Sequence, residues 1–209
     1  KWIEAGRVTL NGKIAKKGNR VAIGDEVLLD GQPLFDEPKK VYIVFNKPQG
    51  ITCTTDRNDK DNIIDFIGHE QRIFPVGRLD KASSGLILLT NDGDIVNRIL
   101  RAENKKEKEY IVSVDRPINK GFVQKMSQGV PILGTVTREC EVEAINKTNF
   151  RIVLTQGLNR QIRRMCEHLG YHVRALTRVR IMHIHIGHLK PGRWRNLTKG
   201  ELKQLFASI

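Results

Sequence analysis

The apolar residues of this chain come in short runs, and that spacing limits its fold more than any other feature. The longest uninterrupted stretch, Val41 to Phe45, has the length of a β-strand. Crossing a bilayer as a helix takes roughly 20 apolar residues in succession, so a membrane-embedded chain is not expected. Segments rich in Val, Ile and Leu at 41–46, 85–90, 110–115, 150–155 and 181–186 are expected to be strands. Helices are expected near 62–67, 94–102, 119–127, 159–169 and 199–206. Within 159–169, Ile162, Met165, Cys166 and Leu169 recur at helical spacing, and Gly170 supplies the stop. The two kinds of element mix without a repeating period, which implies an α+β fold with a mainly antiparallel mixed sheet and flanking helices. A chain of 209 residues with 39% hydrophobic content can bury a substantial core.

The first thirty residues read differently. Gly6 is placed to stop a short helix, and Asn11-Gly12 is a strong hairpin signal between short strands. A second short run, Val21 to Asp30, follows. So few residues cannot close a core alone, and the chain opens in what reads as the middle of an element, so further residues upstream of Lys1 are expected. The stretch around Pro33, Asp36, Glu37 and Pro38 reads as a linker. Two domains are therefore expected, 1–36 and 40–209. The three cysteines, Cys53, Cys140 and Cys166, are scattered and odd in number, a pattern that suits a reducing cytoplasm better than a disulfide scaffold.

Charge narrows the partner. With 36 Lys and Arg against 23 Asp and Glu, the net charge is +13. The excess collects at 1–24, which carries +5, and at 151–195, which carries +9. Residues 41–150 are nearly balanced. Two basic clusters around a neutral body favour a polyanionic partner over a merely solvated surface.

The candidate chemistry sits in three places. In Gly77-Arg78-Leu79-Asp80-Lys81-Ala82-Ser83-Ser84-Gly85, a carboxylate lies in a glycine-bounded loop before an apolar strand. Alone, Asp80 reads more readily as a turn carboxylate or a surface ion pair than as a catalytic group. In the 159–169 helix, Arg163 lies about 100° from Ile162, at the rim of the apolar face, whereas Arg160 and Arg164 point further outward. Tyr110 begins a strand and reads as a core aromatic. Two other features are read as plain structure. In Ile181-Met-His-Ile-His-Ile-Gly-His188, His183 and His185 share one strand face as ordinary alternation rather than as metal ligands, and Lys105 to Glu109 reads as a charged loop. Neither GxGxxG nor GxxxxGK[ST] occurs, so nucleotide phosphate cradles have no support.

Four motifs taken together carry a resemblance: Asn46-Lys-Pro-Gln-Gly50, Gly77-Arg-Leu-Asp80 through Gly85-Leu86, Lys108-Glu-Tyr110, and Gly157-Leu-Asn-Arg-Gln-Ile-Arg-Arg-Met165. In this order they resemble the RsuA/RluF-type pseudouridine synthases. The start, Gly6-Arg-Val-Thr-Leu-Asn-Gly12, resembles the tail of an S4-type RNA-binding domain. Residues 129–137 and 160–168 look most like the RluF branch, whose members modify large-subunit (23S) ribosomal RNA. The resemblance implies a pseudouridine synthase catalytic domain after a partial S4-like domain. It implies isomerisation of a uridine within RNA, with no cofactor and no metal. By the same resemblance Asp80 is the essential carboxylate, Arg163 its guanidinium neighbour, Tyr110 the ring that stacks on uracil, and Arg78 the wedge that fills the space of a flipped-out nucleotide. Lys47, Arg160, Arg164, Arg7, Lys13, Lys16 and Lys17 are expected to contact RNA. Ribosomal RNA or its assembly precursor is the implied partner of a cytoplasmic monomer, with a second structured RNA such as a tRNA left open. A non-catalytic RNA-binding factor and an unrelated RNA enzyme are the alternatives that the motifs disfavour.

Overall fold

A computed structural model describes all residues except Ile23, 35–38 and 101–105. The chain divides into two compact units, Lys1–Lys39 and Lys40–Ile209. Most of the expected linker, and the end of the second helix expected from the sequence, lie outside the described residues.

In the first unit, residues 2–6 form hydrogen-bonded turns rather than the expected end of a helix: Ala5 N donates to Lys1 O at 3.0 Å, and Gly6 takes a left-handed φ of 70°. Strands β1 (Val8–Leu10), β2 (Lys13–Ile14), β3 (Val27–Leu29) and β4 (Gln32–Pro33) follow, in the sheet order β2-β1-β3-β4. Asn11-Gly12 and Asp30-Gly31 both have positive φ at the two turn positions. That is the backbone a two-residue hairpin needs to match strand twist, and Asn, Asp and Gly tolerate it. Burial is thin in this unit: Val8 and Ala15 are its buried apolar residues among those described.

The second unit is built on one large sheet. Its elements are β5 (Tyr42–Lys47), α1 (Ile63–Ile67), β6 (Phe74–Val76), β7 (Ser84–Thr90), α2 (Gly93–Leu100), β8 (Lys108–Val114) and α3 (Lys120–Ser127). There follow β9 (Pro131–Ile132), β10 (Thr135–Val136), β11 (Glu141–Ala144), β12 (Asn149–Leu154), α4 (Gln161–His168), β13 (Val173–Ile181), β14 (Ile184–His185), β15 (Trp194–Asn196) and α5 (Lys199–Ala207). The sheet runs β11-β12-β8-β13-β7-β5-β15, with β14 on β13 and β6 on β7. Its pairings are antiparallel except β13 with β7, a contact of two register pairs, Thr177 with Ser84 and Arg178 with Gly85. The fold is α+β, as expected.

Alternation along the strands loads both faces. One face packs Ile43, Phe45, Ile87, Leu89, Val112 and Phe150 against Ile63 of α1, Phe122 and Met126 of α3, and Ile162 and Met165 of α4. The other packs Val44, Leu86, Leu88 and Ile181 against Ile95 and Ile99 of α2 and Leu205 of α5. Helix ends follow local chemistry: Asn62 and Asn119 cap α1 and α3, and Thr198 with Glu201 forms a capping box on α5. Among the described residues, no helix is long and apolar enough to cross a membrane.

Two expectations need correction. Residues 181–186 are not one strand: β13 ends at Ile181, the chain turns through Met182 (φ 53°) and His183, and β14 pairs back, Ile181 opposite Ile184. His183 and His185 therefore share no strand face; the His183 ring bonds Glu201 O at 2.9 Å. Nor is the segment before Tyr110 a charged loop throughout. Lys108 and Glu109 are already in β8, where Glu109 binds Arg151 at 2.9 Å and Arg180 at 2.7 Å. Lys105 lies outside the described residues.

Candidate active site

A row of four residues crosses the sheet at one end of its α1–α4 face. Lys47 on β5 stands opposite Gly85 on β7, Gly85 opposite Arg178 on β13, and Arg178 opposite Tyr110 on β8. Directly opposed residues share a face. The loop 77–83 that carries Asp80 leads into β7 at this row. Gly85 is required there: its φ is 107°, and a Cβ would lie 2.2 Å from Arg178 O. Only a residue without a side chain lets the two strands approach so closely.

The Asp80 loop is tied down at almost every residue. Arg178 Nη1 donates to Arg78 O at 3.4 Å. Leu79 N donates to Cys53 Sγ at 3.4 Å, and Ser83 N to Asp80 O at 2.9 Å. Gly50 N donates to Lys81 O at 2.8 Å, and Lys81 Nζ pairs with Asp61 at 2.6 Å. Arg163 of α4 reaches Ala82 O at 3.0 Å and Ser83 Oγ at 3.3 Å. Asp80 itself stays half-buried, its backbone fixed and its carboxylate free of any ion pair among the described residues. Such a loop fixes the backbone from which the carboxylate projects and leaves the carboxylate itself uncommitted, which suits positioned chemistry.

The electrostatics are lopsided toward positive charge. Lys47 is 0% exposed, and its Nζ donates to Pro48 O at 2.9 Å and Ile51 O at 2.8 Å. Burial lowers its pKa; the Cys53 and Asp80 charges oppose that shift, and Arg178 adds to it. Burial raises the pKa of Cys53. Lys108 is lowered by burial and by Arg178. Glu109 is pushed up by burial, but the hydrogen bonds from Arg180 and Arg151 prevail and hold it below the usual carboxylate range.

Comparison with known proteins gives this geometry its context. The family model for RNA pseudouridylate synthases matches residues 41–168, and the S4 domain model matches residues 1–27. The dual-specificity RNA pseudouridine synthase RluF of Escherichia coli K12 is 54% identical over 213 residues, covering 100% of this chain and 73% of that protein. The chain is an RNA pseudouridine synthase. A relative from Aquifex aeolicus, called an uncharacterized RNA pseudouridine synthase, is 33% identical and covers 100% of this chain and 87% of its own length. The solved structure titled as a crystal structure of pseudouridylate synthase superposes with a TM-score of 0.75 at 28% identity, covering 98% of this chain and 90% of that one.

The residues singled out in the synthase's sequence fall into three groups. Asp80, Tyr110 and Arg163 all belong to the α1–α4 side of the sheet: Tyr110, 9% exposed, packs in the same core cluster as Leu79 and Ile162, the neighbours of Asp80 and Arg163. Arg163 is deeper than its helical phase implied, 8% exposed, because Ala82, Ser83 and Val173 close over it. It grips the loop backbone and makes no ion pair with Asp80. Arg78, Arg160, Lys13, Lys16 and Lys17 are exposed, as RNA contacts must be. Arg160 sits at the start of α4 in the left-handed conformation, φ 48°, which is uncommon for a side chain of its kind. Arg164 is half-buried and bonded to Asn159 through Nε and Nη2, both at 3.1 Å.

Lys47 is too deep for the RNA-contact role expected of it, whereas Arg7 lies at the surface beside an acidic partner. Lys47 is sealed inside and spends its donors on the 48–51 loop. Arg7 is exposed but forms a forked ion pair with Asp30, with Nε 3.0 and 3.1 Å from the two carboxylate oxygens. Arg178 was missed. Its signal was present in Leu176-Thr-Arg178-Val-Arg180, where alternation puts a guanidinium on the core face beside Leu176.

Proposed function

We propose that this synthase converts a uridine of large-subunit ribosomal RNA to pseudouridine, with Asp80 as its essential carboxylate. The observation that carries the reading is the loop itself: six consecutive residues, 78–83, are each anchored through backbone or side chain, and Asp80 alone presents an uncommitted carboxylate. The C1′–N1 bond breaks, the uracil turns, C5 joins C1′ and gives up its hydrogen as a proton, and N1 takes up a proton. Covalent addition and removal of a 2′ proton both begin from an ionised carboxylate at this position. Tyr110 lies on the same sheet face, and its ring is assigned to stack on the uracil. Arg163 holds the carboxyl-terminal side of the loop. A target uridine must leave its helix to reach this carboxylate, and exposed Arg78, two residues away, is assigned to the vacated space. The ribosomal target rests on likeness to RluF, whose name also records dual specificity, so a second structured RNA such as a tRNA belongs to the same reading. The enzyme is assigned to act as a monomer in the cytoplasm.

Tritium release from large-subunit RNA labelled at uracil C5 tests the proposal. The wild-type protein should release tritium, and Asp80→Asn should release none above background. Equal release by both proteins would remove Asp80 from its role. No release by either, with RNA still bound, would leave an RNA-binding protein on a synthase scaffold.

A further inference from the structure

The Asp80 loop is held from both sides by buried guanidinium groups, and the two holds mirror each other. Arg163 takes the carbonyl of Ala82, two residues after Asp80. Arg178 takes the carbonyl of Arg78, two residues before it. Arg178 comes from β13, on the far side of the narrow parallel joint that links the two halves of the sheet. It is 4% exposed, and its Nε donates to Leu86 O at 2.7 Å, so one guanidinium spans the strand and the loop that precedes it. Each arginine also keeps one buried nitrogen with no partner among the described residues, Nη2 in Arg178 and Nε in Arg163.

A purely structural role explains this poorly. Neither arginine has a carboxylate partner among the described residues, and an unpaired buried charge is costly to keep. Leucine or valine at position 178 would continue the apolar face set by Leu176. The backbone is also unusual at this position of β13. Gly85 leaves no room for a Cβ against the Arg178 backbone, Ser84 Oγ meets Thr177 Oγ1 at 2.9 Å, and the β8–β13 register shifts between Arg178 and Arg180. Bulges of this kind re-aim side chains beside active sites. Lys47 and Arg178 both stand opposite Gly85, one on each side of β7, and the charges of Asp80 and Arg178 both act on Lys47.

We propose that Arg178 is a positioning residue of the isomerisation: its forked guanidinium fixes the Arg78 carbonyl against β7 and thereby sets both the Asp80 carboxylate and the Arg78 side chain. The inference rests on Asp80 being the essential carboxylate. Lysine should replace the arginine poorly, because Arg178 reaches Leu86 O and Arg78 O from two nitrogens held apart in one rigid plane, whereas a lysine ammonium offers its donors from a single point.

The test uses the full chain with Arg178→Lys and Arg178→Met, and Asp80→Asn beside them. Tritium release is measured for kcat and KM, RNA affinity by filter binding, and folded fraction by thermal unfolding. Small displacements of a catalytic group cost on the order of 100-fold in rate, so kcat per folded molecule should fall by at least about tenfold in both Arg178 variants. KM and RNA affinity should change less than about threefold. Guanidinium ion at low millimolar concentration should restore part of the kcat of a third variant, Arg178→Ala, and equal sodium chloride should not. If Arg178→Met does not unfold cooperatively, the lysine variant decides. Wild-type kcat in Arg178→Lys while Asp80→Asn is inactive would overturn the proposal. So would a loss of kcat that merely follows the loss of folded protein. Activity in Asp80→Asn would overturn the underlying reading instead.

Discussion

Lys47 and Asp80 show how burial, rather than charge, sorts the polar residues of the site. Both lie in motifs that a reader of sequence assigns to function. Asp80 is left half-buried on a hydrogen-bonded loop, with nothing paired to its carboxylate among the described residues. Lys47 is enclosed, and its ammonium ties the carbonyls of Pro48 and Ile51 to β5. Replacing it with methionine would keep the volume and strand those two acceptors. Losing hydrogen bonds from a charged donor to these half-buried carbonyls costs about 1–3 kcal/mol, so Lys47→Met should lose stability of that order in urea unfolding. Its RNA affinity at fixed salt should match the wild type. A weaker affinity with a smaller salt dependence would return Lys47 to the list of phosphate contacts. The burial that lowers the Lys47 pKa is the same fact that keeps it from RNA.

Among the elements, α5 illustrates why helices were readable and some strands were not. All five helices were expected near their observed positions, because caps and apolar spacing are local. Thr198 accepts from Glu201 N, and Glu201 reaches back to Thr198 N at 2.8 Å, signals contained in four residues. Strand β13 carries Arg174, Arg178 and Arg180, and two of these arginines serve partners on other strands. Its membership in the sheet was hidden until those strands were in place. The turn at Met182 was hidden for the same reason, since β13 decides where β14 pairs. Glu201 also binds Arg195 of β15 at 2.7 Å, which fastens α5 to the edge of the sheet. The Arg195 hydrogen bond, helped by Thr198 against the cost of burial, lowers the Glu201 pKa from 4.5 to about 2. A carboxyl depressed in the fold stabilises it fully above its unfolded pKa and loses that contribution as pH falls toward the folded value. Glu201→Gln should therefore cost about 1–3 kcal/mol at neutral pH, a typical range for charge-assisted hydrogen bonds. The gap between variant and wild type should stay constant above about pH 4.5 and close by about pH 2. A gap unchanged at acid pH would place the effect in packing rather than in the charge.

For the whole molecule, the +13 charge has to be divided by what each basic residue is doing. The sequence concentrates ten basic side chains in 151–195, but Arg151, Arg180 and Arg195 are bound to glutamates, and Arg163 and Arg178 are buried in the loop clamp. Arg160, Arg164, Arg174, Lys190 and Arg193 remain without a carboxylate partner among the described residues. Charge counting sees the composition of a surface and cannot see which cations the fold has already used. The distinction is measurable. Each phosphate contact steepens the dependence of log K on log salt by roughly 0.7 to 0.9, whereas a cation paired to glutamates releases no counterion from RNA. Arg160→Asn removes an unpaired charge and keeps a residue that accepts the left-handed backbone found there. Arg151→Gln removes a paired one. In binding titrations of the full chain at several salt concentrations, the first substitution should flatten the slope by about one contact and the second should leave it unchanged. Equal flattening by both would mean that the glutamates around Arg151 yield it to RNA, and no change from Arg160→Asn would move the phosphate path away from the start of α4.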